Sequence, residues 1–249
     1  MDMEDWERRL YDGYVSRENA FGMAGHRDDA LASGRPFALA VIERHVPAQK
    51  TLAIADLGCG QGTLLHCLKS LGYTNIRGID ASPEQVRLAR QRGLHDVACQ
   101  DARTFLTDKT SAFDIVFLMD VLEHLDKRDV LDLLGQVRNA LTSHGTLILH
   151  VPNAEGLFGM RVRYGDLTHR NAFTQQSIAQ ALHACGFATV QCFEDKPVVH
   201  GLKSLLRYVL WQVLTIPFRL LLTAETGTTR HILSQNMTVV CRTTRGAPS

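Results

Sequence analysis

The sequence predicts an α/β fold built on a doubly wound, mostly parallel sheet, and three observations support that prediction. Apolar, strand-like runs alternate with helical patterns between residues 51 and 151. A loop with glycine at every second position follows the first of these runs. Acidic residues stand at the ends of the later strand-like runs. Strands that alternate with helices over such a length favour a parallel sheet with helices on both faces.

The order of elements follows from apolar periodicity and from start and stop signals. Ser82-Pro83 places a capping residue before a first-turn proline, which is typical of a helix start. The strand candidates are 51–57, 75–80, 95–100, 113–119, 145–151, 187–194 and 236–242. The helix candidates are 61–71, 83–92, 127–141 and 174–185.

The chain divides into a lead-in and a main domain. Residues 1–50 are predicted to be a helical lead-in or lid, and 51–249 the main domain with an insertion at 198–232. Residues 153–172 are rich in Gly, Arg, Asn and His and are predicted to be a loop. Such a loop beyond the carboxyl end of a strand is a common place for a functional site.

Composition excludes several classes of protein. The 249 residues include 27 Lys and Arg against 26 Asp and Glu, a net charge of +1. Because a basic footprint is missing, we expect no nucleic-acid partner. The acidic start has no apolar stretch, so we expect no signal peptide. Six cysteines without a C-x-x-C pair indicate a reduced, cytoplasmic protein.

The glycine-rich loop 55–62, Ala-Asp-Leu-Gly-Cys-Gly-Gln-Gly, is the most specific signal in the sequence. Glycine permits positive φ and lets a ligand approach the backbone closely. The pattern is G-x-G-x-G led by Asp56, and not the G-x-G-x-x-G of dinucleotide sites. Since Asp56 would repel a pyrophosphate, the loop favours a cationic or zwitterionic nucleoside.

Three further acids follow the loop in order. Asp80 closes the second strand, 18 residues after Gly62, about where a carboxylate accepts hydrogen bonds from ribose hydroxyls. Asp101-Ala102 follows the third strand and suits an adenine edge. Asp120 ends the fourth strand at the predicted switch region of the sheet.

In this order the motifs resemble those of class I S-adenosylmethionine (SAM)-dependent methyltransferases, most strongly over residues 51–155. The resemblance implies SAM as cofactor and a Rossmann-like, seven-stranded sheet with one antiparallel strand, which 187–194 and 236–242 would complete. Asp80 would bind the ribose, and Asp101 with Ala102 would contact adenine. The complete cofactor set implied is Asp56, Gly58, Cys59, Gly60, Gly62, Asp80, Ala81, Asp101, Ala102 and Met119, with Tyr14 as a lid residue. A domain that binds the cofactor without catalysis is the alternative.

The candidates for chemistry at the methyl acceptor are Asp120, Glu123, His124 and His169. Transfer to an alcohol is helped by a base or a metal ion. Asp120, Glu123 and His124 are spaced to share one helical turn. His169, His124 and Asp120 are therefore the predicted catalytic residues. Glu123, His124 and His169 are the candidate ligands of a divalent metal, Mg or Mn.

Each candidate also has a purely structural interpretation. Glu123 would pair with Lys127 at the surface, His124 would be a satisfied buried histidine, and His169 would bond to backbone. Asp166 would orient His169 or cap a turn.

Two methyltransferase groups share these features. The ubiquinone-type and small-RNA 2′-O-methyltransferases have a similar acid-x-x-Glu-His motif with a later His, although Asp120 stands where they have Glu. Bacterial O-antigen and polysaccharide-cluster methyltransferases share the run D-x-T-H-x-x-x-F-T, here residues 166–174, and also resemble residues 11–16 and 151–153. The leading hypothesis is an O-methyltransferase acting on a sugar hydroxyl of a glycan or glycoside. The alternatives are a ubiquinone-type or small-phenol O-methyltransferase and a non-catalytic SAM-binding subunit.

The segment 202–222 is unusually apolar for an insertion. It is long enough to span a bilayer, but its charged residues and Pro217 argue against spanning. Pro217 is predicted to divide it into two helices. An interfacial helix anchored by Tyr208 and Trp211 and a homodimer interface both remain open. The first alternative would place the protein peripherally on the inner face of the membrane.

Overall fold

The computed structural model describes residues 29–243, and their side chains from residue 33. The strands are β1 (Ile54–Leu57), β2 (Ile76–Asp80), β3 (Val97–Cys99), β4 (Phe113–Met119), β5 (Leu141–Pro152), β6 (Thr189–Glu194) and β7 (Asn236–Arg242). The helices are α1 (Asp29–His45), α2 (Thr63–Ser70), α3 (Pro83–Gln91), α4 (Ala102–Leu106), α5 (Lys127–Ala140), α6 (Gly159–Gly165), α7 (Gln175–Ala184) and α8 (Leu202–Thr226). A short 3₁₀ helix covers Leu122–His124. Tyr14, the run 11–16 and most of the lead-in 1–50 lie outside the described residues, so the division at residue 50 stays a prediction.

The seven strands form one sheet in the order β3-β2-β1-β4-β5-β7-β6. Strands β1 to β5 pair in parallel, whereas β7 runs antiparallel to β5 and to β6. Strands β2 and β3 are added on one side of β1, whereas β4 and β5 are added on its other side. The gap between β1 and β4 is therefore the switch point, where ligands bind in such sheets. The predicted fold class is confirmed.

Two apolar clusters cover the two faces of the sheet. Strand β4 contributes to both, because successive side chains point to opposite faces. Val116 and Leu118 pack with α5 and α7 on one face. Ile115 and Phe117 pack with α1, α2 and α3 on the other. The buried strands therefore carry continuous apolar runs, as the sequence indicated.

Two local predictions were wrong. The predicted loop 153–172 contains α6, and Pro217 does not break α8, which is one continuous helix. Proline removes one backbone hydrogen bond from a helix. Ser204 bonds to the backbone of His200 and Gly201 and so fixes the start of α8. Beyond Pro217, Arg219 ties the helix to His231 and Glu194.

Candidate functional site

The glycine-rich loop joins β1 to α2 at the carboxyl edge of the sheet. Gly58, Gly60 and Gly62 all have positive φ, at 79°, 52° and 81°. A Cβ on Gly58 would lie 2.4 Å from Val121 Cγ2, and one on Gly62 would lie 2.1 Å from Leu94. A Cβ on Gly60 would meet nothing closer than 3.9 Å. The loop is thus packed against the protein at its two ends and open at its centre, where a ligand can approach the backbone.

Asp80 holds this loop in place. Its Oδ2 accepts a hydrogen bond from the Gly60 amide at 2.8 Å, and its Oδ1 accepts one from the Ser82 amide at 2.8 Å. Burial raises the pKa of Asp80, although both of these bonds favour the carboxylate. Asp80 therefore links the end of β2 to the open centre of the loop, as a ribose-binding carboxylate would require.

Asp56 is a buried carboxyl group with an unused oxygen. It is 2% exposed, and its Oδ1 has no hydrogen-bond partner among the described residues. Burial, and then the charge of Asp80, raise the pKa of Asp56 to about 7. An unpaired buried carboxylate is costly. The position therefore fits a ligand that brings a positive group beside the loop, and the predicted cationic nucleoside stays a prediction.

Replacing Asp56 by Asn should change how stability depends on pH. Because the folded-state pKa is raised, the neutral form favours folding, and this contribution is lost as pH rises from about 4 through 7. We expect the wild-type protein to lose roughly 2 kcal/mol relative to Asp56→Asn between pH 5 and pH 8. Urea unfolding of both proteins at the two pH values measures this difference. The exposed Asp96→Asn should track the wild type, and a pH-independent gap for Asp56→Asn would contradict the prediction.

The other predicted cofactor residues lie at the same edge of the sheet. Cys59 is buried in the loop, Ala81 directly follows β2, and Met119 is the last residue of β4. Asp101 caps α4, where its carboxylate accepts from the Thr104 amide at 3.0 Å, and Ala102 is the first residue of that helix. The capping role that Asp101 has in the structure leaves its second oxygen for a ligand. The cofactor roles of these residues stay predictions.

A second cluster unites Glu123, His124 and His169. One ligand atom from each residue lies within 4.8 Å of the others, although His169 is 45 residues beyond His124. Glu123 is 1% exposed, so its predicted surface pair with Lys127 is wrong. Its Oε2 has no hydrogen-bond partner among the described residues, and burial followed by the nearby Asp120 raises its pKa to about 8. Such a carboxyl group needs a proton or a cation.

His124 is oriented through Thr168. The Thr168 hydroxyl lies 2.6 Å from Asp166 Oδ1, to which it donates, and 2.9 Å from His124 Nδ1. Because that hydroxyl has only one proton, the His124 Nδ1 must carry the hydrogen of the second bond. Burial, and then His169, lower the pKa of His124 to about 4, so the imidazole is neutral. Its Nε2 therefore keeps a lone pair.

His169 has the same tautomer for a different reason. Its Nδ1 lies 2.9 Å from the Val162 carbonyl, which can only accept, so this nitrogen carries the hydrogen. The ring centroids of His124 and His169 are 4.7 Å apart. His169 does bond to backbone, as one interpretation of the sequence held, but only through Nδ1. Its Nε2 is left for the cluster. Asp166 was predicted to orient His169 or to cap a turn. Its Oδ1 accepts from the Thr168 amide at 2.8 Å, which is a turn cap, and it supports His124 through the Thr168 hydroxyl.

Asp120 does not share a helical turn with Glu123 and His124, and that prediction was wrong. The chain turns at Asp120 with φ of 56° before the 3₁₀ helix begins. The Asp120 carboxylate instead pairs with His150 Nδ1 at 2.6 Å. Desolvation by the surrounding protein opposes the charge of Asp120, but His150 outweighs it and keeps the pKa of Asp120 below its usual range. A lowered pKa makes Asp120 a weak base, so it is better suited to positioning than to proton removal.

His150 is the residue that sequence reasoning missed. It lies near the carboxyl end of β5, between Asp120 and Asp195. The Asp195 Oδ2 is 2.9 Å from His150 Nε2 and forms an ion pair with it. Thr238 donates to Asp195 Oδ1 at 2.7 Å. Burial alone would lower the pKa of His150, but the two carboxylates raise it well above 6.5. The available signal was a lone histidine in the apolar run 147–151.

A cavity of about 1050 Å³ lies beside this chain of charges. It is an open cleft bordered by α1, the end of β6 and α8, and Asp195 lines it while also contacting His150. The basic and aromatic side chains in its wall include Arg44, His45, Tyr208, Arg219, Arg230 and His231. Its size is suited to a small-molecule or oligosaccharide ligand.

Comparison with known families identifies the class of protein. A family model described as "Methyltransferase domain" matches residues 23–192, more than half of the chain. The chain belongs to this methyltransferase family. Two similar relatives are malonyl-[acyl-carrier protein] O-methyltransferase of Herminiimonas arsenicoxydans and tRNA U34 carboxymethyltransferase of Pectobacterium atrosepticum. The first is 29% identical over 75% of this chain and 73% of its own length, and the second is 30% identical over 59% and 47%. The chain thus spans about half the length of the tRNA-modifying relative.

Solved structures share the fold of this methyltransferase. A SAM-dependent methyltransferase from Archaeoglobus fulgidus has a TM-score of 0.63 at 20% identity, over 84% of this chain and 94% of its own. A phosphoethanolamine N-methyltransferase from Haemonchus contortus, in complex with S-adenosylhomocysteine, has a TM-score of 0.58 at 16% identity, over 90% and 58%. The shared fold agrees with the methyltransferase family to which the chain belongs, and that family implies SAM as its cofactor.

Proposed function

We propose that this methyltransferase transfers the methyl group of SAM to a hydroxyl oxygen, that of a sugar in a glycan or glycoside. The observation that supports this choice is the cluster of Glu123, His124 and His169 at the carboxyl edge of the sheet. An alcohol has to lose its proton as it attacks the methyl carbon, and a positioned base or a cation assists that loss. A carboxylate or phosphate acceptor would need neither.

The chemistry of the donor set fits a divalent cation. Two imidazoles with Nδ1 fixed by other groups, and a carboxylate with an unpaired oxygen, form a common ligand set for such an ion. A bound cation would lower the pKa of the acceptor hydroxyl. Without a cation, the Nε2 atom of either histidine could take the proton, since each ring carries its hydrogen on Nδ1. Either way the protein mainly has to align acceptor oxygen, methyl carbon and sulfur.

The acceptors named for the two relatives fit this chain less well. A malonyl group offers a carboxylate oxygen, which would leave the Glu123–His124–His169 cluster without a role in catalysis. A tRNA acceptor would favour a basic binding surface, whereas the net charge is +1.

The run 166–174 supports a glycan acceptor over a phenol. Asp166 and Thr168 orient His124, His169 joins the cluster, and Thr174 caps α7 in a capping box with Ser177. The same run carries the resemblance of the sequence to bacterial polysaccharide-cluster methyltransferases. The basic cavity beside Asp195 gives a polyhydroxylated acceptor room to bind.

Methyl transfer from labelled SAM to a panel of acceptors tests this proposal. We expect turnover with nucleotide sugars, glycans or lipid-linked glycans, and little with catechols or malonyl thioesters. Preference for a catechol would replace the proposal by a small-phenol O-methyltransferase. Binding of SAM without methylation of any acceptor, together with co-purification of a second protein, would favour a non-catalytic subunit. The cytoplasmic location remains a prediction in either case.

A further inference from the structure

Helix α8 has its polar side turned inward and its apolar side turned outward. The residues facing the domain recur about once per helical turn, and most of them are polar: Ser204, Tyr208, Trp211, Gln212, Thr215, Arg219, Leu222 and Thr223. The exposed residues are mostly apolar, and ten of them are large and aliphatic: Leu202, Leu205, Leu206, Val209, Leu210, Val213, Leu214, Ile216, Leu220 and Leu221. A helix on the surface of a protein in water has the opposite arrangement. The outward side of α8 is therefore built for a non-aqueous neighbour.

The inward contacts show that this arrangement is specific. Arg219 forms an ion pair with Glu194, at the end of β6, with Nη2 2.6 Å from Oε1. Its Nη1 donates to the His231 carbonyl at 2.7 Å. These bonds fix which side of α8 faces water or lipid, so the exposed aliphatic residues do not result from a helix rotated out of the core.

The same contacts exclude a spanning orientation. Among the described residues, α8 is long and apolar enough, by length and composition, to cross a membrane. However, both of its ends connect to neighbouring strands, β6 and β7, of one sheet. A crossing helix would carry the Arg219–Glu194 pair and the edge of the sheet into hydrocarbon, where charged groups cost several kcal/mol or more. A position parallel to the membrane plane keeps the polar side and the sheet in water.

The width of the apolar side distinguishes a lipid surface from a second copy of the chain. At 100° per residue the exposed aliphatic residues cover roughly 200° of the helix circumference. One helix packed against another would bury a stripe of only about 100° and leave the rest in water. Lys203 and Arg207 are exposed near the start of α8, and the acidic residue of the helix, Glu225, lies in its last turn. This charge distribution suits anionic headgroups around one end of the helix.

We propose that α8 is an interfacial helix that holds this methyltransferase on the surface of an anionic lipid bilayer. The aliphatic residues enter the acyl region, and Lys203 and Arg207 bind headgroups. Tyr208 and Trp211, the anchors that the sequence suggested, have a different place. Tyr208 lines the cavity between α1 and β6, and the Trp211 Nε1 is buried. The cavity therefore lies directly behind the membrane-facing side, within reach of a molecule held in the lipid surface.

Vesicle binding of the full chain tests this proposal. The variant Leu206→Gln/Leu210→Gln removes apolar area without adding charge. We expect it to bind phosphatidylcholine–phosphatidylglycerol vesicles at least about tenfold more weakly than the wild type. Leu131→Gln is the matched control, since Leu131 on α5 is 43% exposed and Leu210 is 47% exposed. It should bind like the wild type. SAM binding by each variant shows that the fold is intact.

Charge and topology provide two further readouts. Lys203→Gln/Arg207→Gln should lose the preference for vesicles with phosphatidylglycerol over phosphatidylcholine alone. Alkaline carbonate should release the wild-type protein from membranes. Resistance to carbonate would show a spanning helix and overturn the proposal. A second outcome would also overturn it: the wild-type protein does not bind vesicles and forms a stable dimer, and Leu206→Gln/Leu210→Gln converts that dimer to monomer. A second copy of the chain would then cover α8.

Discussion

Replacing His169 by Ala should lower turnover by about two orders of magnitude or more while SAM binding persists. His169 lies in the cluster with Glu123 and His124, on a segment separate from the glycine-rich loop. Its loss removes a base or a cation ligand and leaves Asp80 and the Gly60 amide bonded as before. Single-turnover methylation of the acceptor and calorimetric titration with SAM measure the two properties separately.

His183 provides a matched control for this substitution. Its Nδ1 also lies 2.9 Å from a backbone carbonyl, that of Phe187, but it belongs to α7 and lies outside the cluster. His183→Ala should retain wild-type turnover. Near-normal turnover of His169→Ala on the true acceptor would remove His169 from the mechanism. Equal loss of SAM binding and turnover would show that His169 serves the fold instead.

Treatment with EDTA then distinguishes a cation from a base. If Glu123, His124 and His169 hold a cation, EDTA abolishes turnover and Mg²⁺ or Mn²⁺ restores it. The variant Glu123→Gln should then show the same loss as His169→Ala, since it removes the anionic ligand. If the histidines act as bases, EDTA has no effect, and Glu123→Gln loses less activity than His169→Ala.

The cofactor half of the site could be predicted because its determinants are local in sequence. Each strand, its loop and the following acid occupy a few consecutive residues, and parallel strands bring their carboxyl ends to one edge. The glycine pattern at 58–62 and the acid Asp80 could therefore be placed at this edge of the sheet from the sequence. The structure adds the hydrogen bond from the Gly60 amide to Asp80, a contact that no spacing rule predicts.

The acceptor half could be predicted only in part, because it depends on contacts between distant segments. The nearness of His124 and His169 was suggested by residue type, but the Thr168 hydroxyl that orients His124 depends on side-chain geometry. His150 and Asp195 come from β5 and the segment after β6, which are 45 residues apart. Spacing rules apply to residues on one element and do not describe such pairs. The inverted polarity of α8 was likewise unpredictable, since an apolar stripe does not say which side faces the domain.

Replacing His150 by Gln should be among the most destabilising polar substitutions in the protein. Removing one partner of a buried ion pair leaves an uncompensated charge and typically costs about 3–5 kcal/mol. Here Asp120 is 56% exposed, so solvent relieves part of the penalty and we expect about 3 kcal/mol. Urea unfolding measures the cost. His144→Gln, at an exposed position of the same strand, should change the free energy of unfolding by less than about 0.5 kcal/mol.

The pH dependence of that cost distinguishes the ion pair from lost packing. Because the folded-state pKa of His150 is raised, its stabilisation is complete below its unfolded value of about 6.5 and is lost as pH rises through the folded value. The pKa of Asp120 is lowered, so its contribution is present above about 4 and is lost as pH falls further. The difference between wild type and His150→Gln should therefore be largest between about pH 4 and 6.5 and shrink towards pH 9. A difference that stays constant over this range would show that His150 acts through packing, for example against Phe37, whose ring centroid is 4.9 Å away. A shrinking difference would show instead that His150 stabilises the fold through its charge beside Asp120 and Asp195. Because Asp120 turns the chain at the edge of the site with φ of 56°, the variant's turnover should then fall by more than its SAM affinity does.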